Sequence, residues 1–144
     1  MKILLTGSNG MVGKNILEHN SAKNYEFLTP SSRELNLLNY QETCNYIAIN
    51  QPEFIIHAAG KVGGIQANIN QPVSFLVDNI DMGRNIIMAA KESNIKNLLN
   101  LASSCMYPKD SNNALSENLI LKGALEPTNE GYAISKIMST RLCE

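Results

Sequence analysis

Short apolar runs alternate with stretches of helical period along the chain. Ile3, Leu4 and Leu5 mark a buried strand over residues 2–6, and a glycine turn leads from it into a helix over residues 11–19. Residues 25–28 form a second strand, broken by Pro30-Ser31-Ser32. A helix follows over residues 40–49, with Asn39 as its N-cap. The third strand, residues 53–57, lies between Gln51-Pro52 and Gly60. Pro72 suits the first turn of a long helix reaching Ser93, because its fixed φ and missing N–H cost nothing there. In that helix Val73, Leu76, Val77, Ile80, Ile87 and Ala90 recur at helical intervals and predict the buried face. Residues 98–102 form a fourth strand, residues 108–130 a polar loop, and a last helix starts near Gly131. Alternating strands and helices imply an α/β fold with a doubly wound parallel sheet of the Rossmann type.

Length and composition agree with one soluble globular domain: 144 residues, 44% hydrophobic, 17% charged. The net charge of −1 gives no electrostatic case for nucleic acid or an anionic membrane surface. No stretch approaches the ~18 consecutive apolar residues of a membrane span, and the N-terminus lacks a signal-peptide pattern. Cys44, Cys105 and Cys143 are too widely spaced for a disulfide framework or a zinc site, so no metal is expected and the plain reading is a cytoplasmic protein. Cys44 and Cys143 fall in predicted helices and read as packing residues. The chain stops inside its last helix without a glycine or proline stop. A doubly wound sheet needs a second half, so residues 1–144 read as an incomplete dinucleotide-binding domain, the N-terminal portion of a longer polypeptide.

Gly7-Ser8-Asn9-Gly10-Met11-Val12-Gly13 follows the first strand and opens the first helix. Gly7 permits the tight turn, Gly10 lets backbone approach a pyrophosphate, and Gly13 lets helix and strand pack closely. Amides at the helix N-terminus favour the anion, which makes Asn9, Met11 and Val12 cofactor-binding candidates with the three glycines. The second strand ends in Leu28-Thr29-Pro30-Ser31-Ser32-Arg33, with no acid before Glu34. An acid there would hold a ribose 2′-hydroxyl and repel a 2′-phosphate. Ser32 and Arg33 instead can donate to a phosphate, so NADP(H) is favoured over NAD(H). Ala58 and Ala59 close the third strand, where small side chains let backbone lie along a cofactor. His57 beside them reads as a packed or capped residue rather than a catalytic base.

Tyr132-Ala133-Ile134-Ser135-Lys136 is a YxxxK at the start of the last helix, and an i, i+4 pair shares one helix face. Moving a phenol from its usual value near ~10 to about 7 requires roughly 4 kcal/mol. A neighbouring ammonium and a nicotinamide cation can supply that, and the tyrosine then protonates a carbonyl oxygen as hydride reaches its carbon. Ser103, at the end of the fourth strand, completes a Ser-Tyr-Lys set. Cys105 lies two residues further on; spacing alone leaves a buried, inert thiol and a base equally open.

Several segments resemble signatures of the GDP-L-fucose synthases among the extended short-chain dehydrogenases/reductases. They are Ser103-Ser104-Cys105-Met106-Tyr107-Pro108-Lys109, Lys61-Val62-Gly63-Gly64-Ile65, Leu125-Glu126-Pro127-Thr128-Asn129-Glu130, Glu34-Leu35-Asn36-Leu37-Leu38 and Leu142-Cys143-Glu144. The resemblance covers essentially the whole chain. It implies a Rossmann domain followed by a smaller sugar-nucleotide domain, NADPH as reductant, and a homodimer paired through the helices starting near Pro72 and Gly131. It also implies that Ser103, Tyr132 and Lys136 form the reductase set, with Lys136 also at the cofactor. Cys105 becomes the epimerase base, Asn36 and Leu37 join the cofactor contacts, and the segments 61–65 and 126–130 border the sugar.

The reaction so implied is epimerisation at C3 and C5 and reduction at C4 of GDP-4-keto-6-deoxy-D-mannose, giving GDP-L-fucose. The C4 ketone acidifies the protons on both neighbouring carbons, so one oxyanion site serves both inversions. Inversion needs an acid on the opposite face. The family uses a histidine, and neither His19 nor His57 is placed for it, so it is expected beyond Glu144 and the 144 residues alone are expected to be inactive. Two other readings share these features: another nucleotide-sugar 4-ketoreductase or epimerase, and a non-catalytic dinucleotide-binding module. Cys105 speaks against a simple reductase, and a proton-donor set against a mere binding module.

Overall fold

A computed structural model describes residues 1–111 and 114–144. Its strands are β1 (Lys2–Thr6), β2 (Glu26–Leu28), β3 (Phe54–His57) and β4 (Leu98–Asn100), all parallel in the order β2-β1-β3-β4. The helices are α1 (Met11–Glu18), α2 (Tyr40–Asn50), α3 (Ile65–Asn70), α4 (Pro72–Glu92) and α5 (Glu130–Cys143). This is the strand-and-helix alternation of a Rossmann-type sheet. The structure separates into two compact units, residues 1–60 with 81–101, and residues 61–80 with 102–144.

The first unit holds the sheet. Register places Leu4 beside Ile55 and Ile55 beside Leu98, so a single row of side chains points to one face. The row packs against Ile47 of α2 and Ile86, Ala89 and Ala90 of α4, with Leu35 and Leu37 from the intervening loop. Among the described residues β2 and β4 form the two edges of the sheet, β4 pairing with β3. α2 begins where Asn39 Oδ1 accepts the Glu42 amide at 3.1 Å, and Gln51 closes it in the left-handed region at φ 46°. Cys44 packs against this core as expected, whereas Cys143 is exposed at the end of α5.

In the second unit α3 packs against the turn Pro127–Asn129, and α5 against the turn Ser104–Met106. α3 was not foreseen, because Gly63-Gly64 ahead of it and three amide side chains within it look like loop. Asn68 accounts for it: its buried amide donates to the carbonyls of Gly63 and Gly64 at 3.0 and 3.1 Å.

The apolar pattern of α4 holds at Ile87 and Ala90, which are buried, and fails toward the start of the helix. Val73 and Val77 are 70% and 44% exposed, whereas Phe75, Ile86 and Ala89 are buried. Two asparagines set the difference, since both are buried and hydrogen-bonded. Asn79 bonds the backbone of Lys61 and Phe75. Asn85 donates to the Leu37 carbonyl at 2.8 Å. A pattern that counts only apolar residues places these amides on the wet side.

Replacing Ile55, which is fully buried in the central row, by alanine is expected to lower unfolding stability by about 2–5 kcal/mol in a denaturant titration. A loss under 1 kcal/mol would show that the row is not the core.

Candidate active site

In the first unit β1 runs into a backbone loop that only glycine can build. Gly7 has φ +70°, and a Cβ there would lie 2.7 Å from the Ala58 backbone. A Cβ on Gly13 would meet the Gly7 carbonyl oxygen at 2.4 Å, so α1 sits directly on the turn. Gly10 is the N-cap and offers no side chain, which leaves the amides of Met11, Val12 and Gly13 without intrahelical acceptors. Asn9, Gly10, Met11 and Val12 are exposed. This is a cradle for an anionic group.

Ala58 and Ala59 lie half-buried after β3. The Ala59 amide donates to Thr6 Oγ1 at 3.2 Å, and Thr6 Oγ1 lies 2.8 Å from His57 Nδ1. His57 is only 2% exposed, a packed and hydrogen-bonded histidine as its position in the sequence indicated. Beyond β2, Ser32 and Arg33 are exposed, and the guanidinium has no partner among the described residues. The nearby acid is turned away, since Glu34 accepts from both the amide and the hydroxyl of Ser31 at 2.8 Å. The Ser31 amide bond is the main reason that carboxyl is held below its usual range. Asn36 is exposed and caps the Leu38 amide at 3.1 Å, while the Leu37 side chain belongs to the core.

The second unit gathers Ser103, Cys105, Tyr132 and Lys136. β4 ends at Asn100, earlier than the expected residue 102, so Ser103 stands on extended backbone past the strand and caps the turn Ser104–Met106. Its Oγ accepts the Cys105 amide at 3.3 Å, on the turn against which α5 packs. Tyr132 and Lys136 are one turn apart on α5, and the ammonium lies 5.8 Å from the ring centroid. Burial pushes the Tyr132 phenol above its usual value, the charge of Cys105 adds to this, and the Ser103 hydrogen bond partly offsets it. The lowering expected from the YxxxK pattern calls on a nicotinamide cation as well as the ammonium; for the chain alone burial is the dominant effect. Tyr132 is therefore protonated at neutral pH, the form in which it can act as an acid. Lys136 is 8% exposed, and burial lowers its ammonium below the usual range.

One member of this cluster was marked in the sequence only as part of the segment 125–130, not as a partner of Cys105. The Asn129 amide donates to Cys105 Sγ at 3.1 Å. A single asparagine in a polar loop has no periodicity or spacing that marks it. Within the loop at residues 61–65 the structure shows where the Lys61 side chain goes. The Lys61 ammonium bonds Asp78 Oδ2 at 2.7 Å and the Ser74 hydroxyl, and lies 5.6 Å from the Phe75 ring centroid, so it is spent on α4.

A family model for NAD dependent epimerases/dehydratases matches residues 3–144. The chain belongs to that family. Among relatives, it is 62% identical over 144 residues to the GDP-L-colitose synthase of Yersinia pseudotuberculosis, covering 100% of this chain and 47% of the relative. It is 43% identical to the GDP-L-fucose synthase of Azorhizobium caulinodans, covering 99% of this chain and 46% of that protein. Among solved structures, the NADP-bound GDP-mannoheptose C4 reductase MlghC of Campylobacter jejuni matches with a TM-score of 0.93 at 27% identity, over 99% of this chain and 46% of that one. This epimerase/dehydratase chain thus spans about half the length of the curated relatives it matches.

The Lys61 clamp gives a pH signature. Chiefly through the Lys61 hydrogen bond, Asp78 is held below the ordinary carboxylate value, near ~4. Its contribution to stability is present above that value and is lost as pH falls through the lower folded value. Asp78→Asn is expected to lower Tm at pH 6, with the gap to wild type closing in strong acid. A gap independent of pH would remove the clamp from the account.

Proposed function

We propose that the whole protein is an NADPH-dependent epimerase/reductase of a GDP-linked 4-keto-6-deoxy sugar, with residues 1–144 supplying its dinucleotide-binding Rossmann portion. The observation that carries this reading is the joint placement of Ser103 and Cys105 on the turn that packs against α5, with Tyr132 and Lys136 one turn apart on that helix. A plain reductase has work for Ser103, Tyr132 and Lys136 but none for a cysteine on the same turn as Ser103.

The glycine cradle fits a pyrophosphate, since it crowds out any Cβ at Gly7 and Gly13 while leaving the first amides of α1 open. Arg33, without a partner among the described residues, stands beside Ser32 with Glu34 tied to Ser31, and this fits a ribose 2′-phosphate. Asn36 and Leu37, with Ala58 and Ala59, are the further cofactor contacts of this reading. When bound, NADPH supplies hydride to C4. The chain's own residues handle the protons. Cys105 as thiolate takes a proton from the carbon beside the ketone; the C–H electron pair becomes the enolate double bond, and the carbonyl π pair moves onto oxygen. Ser103 and Tyr132 hold that oxygen, and Tyr132 protonates it during reduction. Reprotonation from the opposite face requires an acid outside these residues.

Two products remain in view because two observations favour them. The segments resembling fucose synthases support GDP-L-fucose from GDP-4-keto-6-deoxy-D-mannose. The higher identity to the colitose synthase supports GDP-L-colitose from its own 4-keto precursor. The test supplies the full-length gene product with each ketone and with NADPH or NADH, beside Cys105→Ser. Expected are consumption of NADPH in preference to NADH, an epimerised product with one ketone, and in the variant at least a hundredfold loss of that product (about 2.7 kcal/mol). Equal reduction by wild type and variant without inversion would make the protein a plain 4-ketoreductase.

The homodimer belongs to the same reading. Val73 and Val77 share an exposed face of α4, and Ile134 of α5 is exposed as well. Val77→Glu is expected to turn a dimer into a monomer in sedimentation velocity. Unchanged sedimentation would place the contact elsewhere.

A further inference from the structure

Cys105 stands on the turn Ser104–Met106 with its amide fixed by Ser103 Oγ, so its backbone is held, but the sulfur needs a partner of its own. That partner comes from a separate turn, Pro127–Asn129, which is locked from within. Glu126 Oε1 accepts the Thr128 amide at 3.3 Å and the Thr128 hydroxyl at 3.1 Å, and the Asn129 amide N–H returns to the Glu126 carbonyl at 3.1 Å. The result is one carboxamide aimed at one sulfur, Nδ2 to Sγ 3.1 Å. Asn129 Oδ1 is buried and has no partner among the described residues. An unmatched buried acceptor is unfavourable, so the bond from Nδ2 to sulfur is made despite a cost on the other half of the same amide.

We propose that Asn129 is the positioning residue of Cys105, its carboxamide N–H holding the sulfur as a thiolate aimed at the substrate carbon. The proposal rests on the reading of Cys105 as the epimerisation base. A donor at the sulfur favours the anion over the thiol, which has a proton of its own to donate. It also pins the side-chain rotamer, so that the base meets the carbon–hydrogen bond without searching. When Cys105 takes the proton, the S–H bond forms, the charge leaves the sulfur, and the Asn129 hydrogen bond weakens. The thiolate therefore exists mainly before proton transfer and the thiol after it. The titratable group whose charge couples to Cys105 is Tyr132; Lys136 lies over the Tyr132 ring. The neighbouring carboxylates of the turn, Glu126 and Glu130, are exposed, and Glu126 is occupied by Thr128.

The test measures iodoacetamide labelling of each cysteine against pH by peptide mass spectrometry, in wild type, Asn129→Ala and the isosteric Asn129→Asp. Cys44 and Cys143 serve as internal references for an intact fold. Labelling of Cys105 at pH 7 is expected to slow about tenfold in Asn129→Ala, equivalent to about 1.4 kcal/mol. Its pH curve should move upward, further in Asn129→Asp, with Cys44 and Cys143 unchanged. In the full-length protein, solvent deuterium entry at the inverted carbon should slow by a similar factor in Asn129→Ala. Unchanged Cys105 labelling in both variants overturns the proposal. Deuterium entry that is untouched by Cys105→Ser, while labelling still responds to Asn129, would instead sink the reading of Cys105 as base.

Discussion

A buried amide side chain that lacks hydrogen bonds costs about 1–3 kcal/mol, and this chain places such amides where its loops must be held. Asn79 and Asn85 are both buried on α4, and each bonds backbone from a segment remote in sequence, Lys61 and Leu37 respectively. Asn79 thereby fixes the start of the loop at Lys61, whose ammonium is then spent on Asp78 and Ser74. Asn85 fixes the Leu37 carbonyl and with it the segment that follows the second strand. Asn68 does the same for the glycines ahead of α3. Asn129 extends the device to a sulfur. Apolar packing supplies the sheet's core, but amides decide where its loops stand.

The chemistry of the second unit follows from a related constraint. Burial penalises any charged form, so Tyr132 is held protonated and Lys136 is pushed toward neutrality. Cys105 sharpens the division of labour, because a negative charge on sulfur opposes ionisation of the phenol. In the proposed reaction one site then holds a base acting at carbon and an acid acting at oxygen. That pairing suits a substrate whose ketone serves both as the electron sink for epimerisation and as the group reduced.

Membership in the NAD dependent epimerase/dehydratase family accounts for the cradle and the Ser-Tyr-Lys set together. The relatives named for GDP-L-colitose and GDP-L-fucose narrow the reading to GDP sugars. They do not select one sugar, because the chain spans about half of each.

The strands, the glycine turn and YxxxK were all legible in the sequence, since each depends on local rules. Strand burial shows as an apolar run, a left-handed turn demands glycine, and residues four apart share a helix face. The Asn39 cap was legible for the same reason. Tertiary structure alone decided which face of α4 is buried, because Asn79 and Asn85 count as polar until their distant partners are known. It alone revealed α3, the attachment of Lys61 to α4, the upward shift of Tyr132, and the bond between Asn129 and Cys105. Each of these joins residues that no period connects, and the direction of a charge effect depends on burial that sequence spacing does not contain.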